Sequence, residues 1–156
     1  MPLPASASPR SPDSPVQGLI CRIRHRVNYS EVDQMGVVYH ARYLVWLDMA
    51  RTEYLREQGM SYREFEERGY RLAVSEVSIR YRQPARYDDL LTIRCWVHEA
   101  ASRRVTFGYA IERYETDRLL ATATTVMLSL DSGFALTAMP ADVRRLLVPT
   151  AAPVRL

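Results

Sequence analysis

Apolar and polar residues repeat with two different periods along this chain, and the change of period divides it into elements. In residues 19–29 they alternate loosely, with Ile23 and Val27 on one face and arginines on the other, as in a half-buried strand. From about residue 39 to residue 58 apolar residues recur every three or four positions, which predicts one long helix with a wide apolar face. Gly59 follows where glycine commonly ends a helix.

The segment after this helix predicts a short second helix and then a run of strands. Ser61 and Glu64 form a capping-box pattern, and Gly69 would end the helix that it starts. Residues 71–130 then alternate again, which predicts four consecutive antiparallel strands at residues 74–83, 90–100, 103–114 and 118–130. One alternating set on these strands is apolar, including Val77 and Tyr81. We therefore expect one covered sheet face, with the other face wetter or in contact with a partner.

This order of elements predicts an α+β fold in which one five-stranded antiparallel sheet buries its apolar face against a single long helix. A helix of about 17 residues is roughly 25 Å long, enough to cross such a sheet. Because one helix is a thin cover for five strands, we expect pairing between protomers, most simply as a twofold dimer. Residues 140–147 could form a last short helix.

Length and composition fit one ordinary globular domain. The chain has 156 residues, of which 47% are apolar and 25% charged. Residues 1–18 contain five of the nine prolines and four serines, so we predict a flexible tail there. The folded domain is then expected at residues 19–148, with a C-terminal tail at 149–156.

Charge and cysteine usage exclude several classes of function. The net charge is +3 and every one of the 21 basic residues is arginine, interleaved with 18 acids rather than gathered in one stripe, which disfavours a nucleic-acid binder. No apolar stretch approaches the roughly 20 residues that span a bilayer, and no secretory signal is apparent, so we expect a cytoplasmic protein. Cys21 and Cys95 lack ligand spacing and are predicted to be reduced, buried thiols, with no metal site.

The segment that differs in kind from the rest is Tyr29-Ser-Glu-Val-Asp33-Gln-Met-Gly36-Val-Val-Tyr39-His40, directly before the long helix. The first turn of a helix offers unpaired N–H groups and a partial positive charge, which can stabilise an oxygen that develops negative charge. A carboxylate on the preceding turn could face the same point as base or nucleophile, and Gly36 would let the backbone approach a ligand closely. The acids could equally cap the helix or complement its dipole, so spacing alone leaves both interpretations open.

This segment resembles the signature of the hot-dog-fold acyl-CoA thioesterases of the 4-hydroxybenzoyl-CoA thioesterase type, in particular their Tol-Pal-associated branch. The loop of that branch has the form Tyr-x-Asp-Thr-Asp-x-x-Gly-x-Val-Tyr-His. The resemblance continues through residues 43–56, residues 74–81 and the turn Gln83-Pro84-Ala-Arg86-Tyr87-Asp88-Asp89, and it covers about residues 22–145. It implies a sheet wrapped around one helix in a homodimer or homotetramer, and no cofactor is expected.

The resemblance also implies roles for individual residues. It places the catalytic aspartate on Asp33 and the amide that polarises the thioester carbonyl on His40, beside Tyr39, with Gly36 as the glycine of the loop. The implied reaction is hydrolysis of acyl-CoA thioesters to the free acid and CoA, with Asp33 as nucleophile or general base and the Tyr39 and His40 amides as oxyanion hole. The ring of His40 could also orient Asp33 or touch the acyl group.

The chain departs from the pattern of this branch at two positions, which makes the hydrogen bonding around Asp33 uncertain from the sequence. Glu31 stands where the branch usually has Asp, and Val32 where it often has Thr. Tyr29 and Glu31 are candidates for supporting roles. For Glu31 we favour a hydrogen-bonding role in the loop over that of a second catalytic acid.

Two rival interpretations belong to other functional classes. An acyl hydratase or dehydratase of the same fold would pair Asp with His in its loop, or carry a His with a Glu on the helix, but from residue 43 onward the predicted long helix has Asp48 and Glu53 and no His. A non-catalytic subunit that binds acyl thioesters or acyl-carrier protein is disfavoured by the retained Asp33 and Gly36. The acyl type, the choice between CoA and carrier-protein donors, and the arginines that would bind the CoA phosphates stay open.

Overall fold

The computed structural model describes residues 18–156, so the predicted tail at residues 1–18 lies outside the described residues except for Gly18. In the described part, a short 3₁₀ helix at Tyr29–Glu31 follows the first strand, and the other elements are three α-helices and five strands. The helices are α1 (Arg42–Glu57), α2 (Tyr62–Glu67) and α3 (Ala141–Leu146). The strands are β1 (Ile20–Arg26), β2 (Tyr70–Tyr81), β3 (Leu90–Ala100), β4 (Arg104–Arg113) and β5 (Arg118–Asp131).

The strands form one antiparallel sheet in the order β1-β3-β4-β5-β2, so β1 and β2 are its edges. This confirms the predicted five-stranded antiparallel sheet. Across three neighbouring strands the register places Cys21 opposite Cys95, and Cys95 opposite Tyr109. All three side chains are buried in the core, and both cysteines are free.

Helix α1 packs its apolar stripe on this core, chiefly against β1 and β3. It ends as predicted, because Gly59 has a positive φ of 90° and its amide donates to the carbonyl of Arg56 at 3.0 Å. The capping box of Ser61 and Glu64 at the start of α2 is also present. Helix α1 begins three residues later than predicted, because residues 40 and 41 form a turn.

Two strand boundaries differ from the prediction. Strand β1 ends at Arg26 rather than at residue 29, because Asn28 caps the short 3₁₀ helix and its side chain accepts from the Ser30 amide at 2.9 Å. Strand β2 begins four residues before residue 74, because pairing with β5 starts as soon as the chain leaves Gly69, with Tyr70 opposite Asp131.

The expectation of one covered sheet face fails at β2. Val77 and Tyr81 belong to the predicted apolar set, yet they are 42% and 49% exposed. The reason is that α1 lies over the β1 and β3 half of the sheet and leaves the inner face of β2 open. The outer face is less wet than expected, since Trp96 and Ala110 on that face are fully buried.

Residues 149–156, predicted as a tail, contain no helix or strand but lie against the sheet. The Thr150 amide donates to the Val97 carbonyl at 2.9 Å, beside the place where β1 begins. At the opposite edge of the sheet the Arg155 carbonyl accepts from the Arg82 guanidinium at 3.1 Å. This segment therefore crosses the outer face from β3 to the end of β2.

Neither a membrane-spanning helix nor a cluster of metal ligands is found in residues 18–156. In that part of the chain no helix has both the length and the apolar character needed to cross a membrane. The same residues contain no group of three or more His, Cys, Asp or Glu side chains placed to hold a metal ion.

Candidate active site

The loop between β1 and α1 places Asp33 on a tight turn. The turn is closed by a bridge between Val32 and Val38, and the Asp33 amide donates to the Val37 carbonyl at 2.8 Å. Gly36 has a positive φ of 75°, and a Cβ at this position would meet nothing within 4 Å. The backbone conformation of the turn therefore favours glycine at this position.

Glu31 anchors the start of this loop through a set of donors. The imidazole of His25 lies 2.8 Å from Oε2, the Trp46 indole donates to Oε1 at 2.8 Å, and the Asn28 amide donates to Oε2 at 2.7 Å. Burial alone would raise the pKa of the Glu31 carboxyl, but the hydrogen bonds from Asn28, His25 and Trp46 outweigh it and lower that pKa below its ordinary range. Glu31 thus has the contacts of a hydrogen-bonding group of the loop.

The two carboxylate oxygens of Asp33 have different surroundings. Oδ1 accepts the Met35 amide at 2.8 Å, which fixes the orientation of the side chain. Oδ2 has no hydrogen-bond partner among residues 18–156. The carboxylate is thus held by one oxygen and presents the other, half-buried, to the space in front of the helix.

At the start of α1, the two amides predicted as oxyanion donors differ in their hydrogen bonding. The Tyr39 amide is committed, because it donates to the Glu31 carbonyl at 2.8 Å, so the geometry contradicts that part of the prediction. The His40 amide has no acceptor among the described residues, and Ala41, the N-cap residue of α1, offers no side-chain cap. An unpaired N–H at this end of a helix carries part of the positive end of the helix dipole.

Asp33 and His40 line the same cleft, whose volume is about 280 Å³. Its other walls come from the loop, from the first turn of α1 and from the end of β2 and the turn after it: Met35, Val37, Val38, Tyr43, Tyr81, Arg82, Gln83 and Pro84. The Val38 amide donates to the Ala85 carbonyl at 2.8 Å, which holds the loop against that turn. Loop and turn are therefore fixed to each other around the cleft.

The remaining predicted site residues do not line this cleft. Tyr29 is 76% exposed and packs edge-on against Tyr87. The ring of Tyr39 lies against the ring of His40, with 4.5 Å between the centroids. Gly36 and Glu31 shape the loop from behind it. Of the predicted set, the structure brings Asp33 and His40 together.

Sequence reasoning missed the contribution of Tyr81 and did not single out Arg82 for this cleft. The Tyr81 hydroxyl donates to the His40 carbonyl at 2.8 Å. Tyr81 and Arg82 both line the cleft at the end of β2. The family resemblance did include the turn that begins Gln83-Pro84, directly after these two residues. No local sequence pattern, however, connects that turn with the Asp33 loop about 40 residues earlier. What results is a carboxylate and a helix-start amide that face one cleft, the arrangement that acyl transfer needs.

Comparisons with known proteins agree on one family. Residues 27–147 match the profile of the Thioesterase-like superfamily. The chain is 36% identical to the acyl-CoA thioesterase YbgC of Haemophilus influenzae over 109 residues, 69% of this chain and 79% of that protein. It is 35% identical to YneP of Bacillus subtilis over 85 residues, which are 54% of this chain and 62% of YneP, less than two thirds of that relative.

A solved structure gives the same result for the fold. The crystal structure of the protein TT1821 from Thermus thermophilus superposes with a TM-score of 0.78 at 35% identity, covering 81% of this chain and 96% of that chain.

Proposed function

Since the chain belongs to the Thioesterase-like superfamily, as the sequence resemblance predicted, we propose that it hydrolyses acyl-CoA thioesters to the free acid and coenzyme A. The observation that carries this proposal is the shared cleft of Asp33 and His40, since Asp33 Oδ2 and the His40 amide both lack a hydrogen-bond partner among residues 18–156. The fold is the hot-dog arrangement of a five-stranded antiparallel sheet packed on one long helix.

Asp33 acts as nucleophile or as general base in this proposal. Its anchored Oδ1 leaves Oδ2 free either to attack the thioester carbonyl, which gives a mixed anhydride and the CoA thiolate, or to take a proton from an attacking water. Water then hydrolyses the anhydride in the first route, whereas the second route gives the acid directly. Both routes use the same oxygen, and thiolate is a good enough leaving group for a single carboxylate to suffice.

The His40 amide stabilises the oxyanion of the tetrahedral intermediate. It lies at the positive end of α1, and a fixed donor there requires no reorganisation when charge develops. Arg82 at the rim adds a positive charge beside the cleft, which suits the anionic phosphates of coenzyme A or an acidic carrier protein. Thiol release from acyl-CoA and acyl-carrier-protein thioesters of different acyl type distinguishes these two donors.

We further propose that the protein is a homodimer paired through β2, alone or assembled into a homotetramer. The two edges of the sheet differ in character. Strand β2 exposes Val74, Val77 and Tyr81 at 45%, 42% and 49%, respectively. The outward positions of β1 carry Arg22, Arg24 and Arg26, and charged residues at an edge discourage pairing. A twofold axis through β2 would cover its apolar residues on both copies.

The test of the activity is release of free thiol from a panel of acyl-CoA thioesters, from acetyl to palmitoyl with benzoyl and 4-hydroxybenzoyl. We expect the native protein to release thiol and Asp33→Asn to lose at least about a hundredfold in kcat, which is about 2.7 kcal/mol of transition-state stabilisation. The matched control is Asp117→Asn, the same change at an exposed turn residue with positive φ. Full activity in folded Asp33→Asn would remove Asp33 from the mechanism.

A second outcome would reject free CoA thioesters as substrates. If the native protein releases no thiol from any member, the same panel on acyl-carrier-protein thioesters decides whether hydrolysis occurs at all. Inactivity there too would contradict the proposed function.

A further inference from the structure

Tyr81 is the last residue of β2, and its hydroxyl reaches across to the helix start. It donates to the His40 carbonyl at 2.8 Å. The ring of Tyr81 meets the ring of Tyr43 edge-on, with 5.0 Å between centroids and an interplanar angle of 89°. Tyr43 is buried, so it provides a rigid surface against which the exposed Tyr81 ring is oriented.

The His40 carbonyl is held from outside the helix. Because Ala41 is the N-cap of α1, the His40 carbonyl lies just outside the helix and takes no part in its regular hydrogen bonds. The amide of the residue four positions later, Leu44, donates to the Ala41 carbonyl at 3.2 Å. The Tyr81 hydroxyl is therefore the group that donates to the His40 carbonyl, and this bond ties the peptide after His40 to an edge strand of the sheet.

The peptide before His40 is fixed independently. The Tyr39 carbonyl accepts the Arg42 amide at 2.9 Å. Because a trans peptide is planar, the His40 N–H points opposite to that carbonyl, away from the body of the helix. With the peptides on both sides of His40 held, its N–H has one defined direction at the end of the helix where His40 and Asp33 line the same cleft.

We infer that Tyr81 is a positioning residue of the thioesterase reaction, whose hydroxyl holds the His40 backbone so that the His40 amide meets the oxyanion. This inference rests on the proposed function. Tyr81 acts through a main-chain group and makes no bond to the reacting atoms. Its loss leaves the amide present but less well directed, so the cost is smaller than that of removing an oxyanion donor, which is about a hundredfold to a thousandfold in kcat.

The test is Tyr81→Phe, which removes the hydroxyl and keeps the ring against Tyr43. We expect kcat on the fastest substrate of the panel to fall about tenfold, with KM within about twofold of native, because the lost interaction matters in the transition state. Tyr87→Phe is the matched control, since Tyr87 is exposed and its hydroxyl has no partner among the described residues. It should keep native kcat and KM.

A binding measurement separates positioning from damage to the cleft. In the Asp33→Asn background, affinity for benzoyl-CoA is measured by calorimetry with and without Tyr81→Phe, and we expect equal affinities within about twofold. A kcat equal to native in Tyr81→Phe overturns the inference, and so does a change confined to KM and affinity. Either result leaves the proposed function intact if Asp33→Asn is inactive. A native protein that hydrolyses no thioester overturns both.

Discussion

Glu31 links the loop before α1 to its neighbouring elements through a single carboxylate. Its carboxylate connects β1 through His25, α1 through Trp46 and the 3₁₀ helix through Asn28. Three elements that approach the cleft from different directions therefore share one acceptor. Charge-assisted hydrogen bonds of this kind are roughly twice as strong as neutral ones.

Replacing this carboxylate should destabilise the protein in a pH-dependent way. The pKa of Glu31 is lowered in the folded state, so its contribution to stability is full above the ordinary glutamate range and is lost as pH falls through the folded value. We expect Glu31→Gln to lower the free energy of unfolding by about 2 kcal/mol near pH 7. The gap between native and variant should begin to narrow as the pH falls below about 5.

Thermal unfolding followed by circular dichroism across this pH range measures the effect. The matched control is Glu115→Gln, because Glu115 is exposed in the β4–β5 turn and has no hydrogen-bond partner among the described residues. A gap between native and Glu31→Gln that stays constant down to pH 3 would contradict the assignment of the lowered pKa to Glu31.

Site residues could be predicted from the sequence where their signal is local. Asp33, Gly36 and His40 lie within eight positions of one another, and the loop motif contains all three. Tyr81 could not be found this way, since its partner His40 lies 41 residues earlier and the contact exists only after β2 has joined the sheet. The prediction that the Tyr39 amide is an oxyanion donor was wrong. That amide donates to the Glu31 carbonyl instead, and this bond depends on the fold of the loop.

At the scale of elements, the ends that the sequence predicts well are those with a local physical cause. Gly59 and the Ser61 capping box are examples, because a positive φ or a side-chain cap depends on a few neighbouring residues. The start of β2 is decided instead by pairing with β5, where Asp131, the partner of Tyr70, lies 61 residues later. Periodicity reports the pattern of faces but not what covers them, so the exposure of β2 was missed.

In the pairing of β3 with β4, one position has no room for a side chain larger than that of glycine. Trp96 stands opposite Gly108, and a Cβ built on Gly108 would lie 2.6 Å from the indole of Trp96. We expect Gly108→Ala to displace the fully buried indole and to destabilise the protein by about 1–3 kcal/mol, the usual cost of overpacking. Urea unfolding monitored by tryptophan fluorescence measures the difference.

The comparison for this prediction is Gly133→Ala. A Cβ on Gly133 would approach the Asp131 carboxylate oxygen no closer than 3.3 Å, and the residue lies in an exposed turn. The Gly133→Ala variant should unfold at a urea midpoint close to that of the native protein. Equal midpoints for native protein and Gly108→Ala would mean that the indole shifts without cost.

At the scale of the whole molecule, the sheet has one arginine-rich edge and one apolar edge. Residues 149–156 cross the outer face, and α1 covers the inner face near β1, so the open apolar surface is concentrated along β2 and the adjoining inner face. The sequence correctly indicated that one helix is too little cover for five strands. It could not say which strand is left open, because the strand order is set by long-range pairing.

A charge in the middle of this open surface tests the proposed dimer. Val77 lies near the centre of β2, and the proposed twofold pairing would bury its side chain against the other copy. We expect Val77→Asp to raise the dimer dissociation constant at least about a hundredfold, since an uncompensated buried carboxylate costs several kcal/mol. The variant should fold as a monomer, because position 77 is already 42% exposed in the single chain. Sedimentation velocity over a concentration series gives the dissociation constant.

Arg22→Asp on β1, exposed on the opposite edge, places the same carboxylate where no pairing is proposed and should leave the dimer intact. If Arg22→Asp dissociates and Val77→Asp does not, the copies pair through β1, and the apolar surface of β2 faces something other than a second copy.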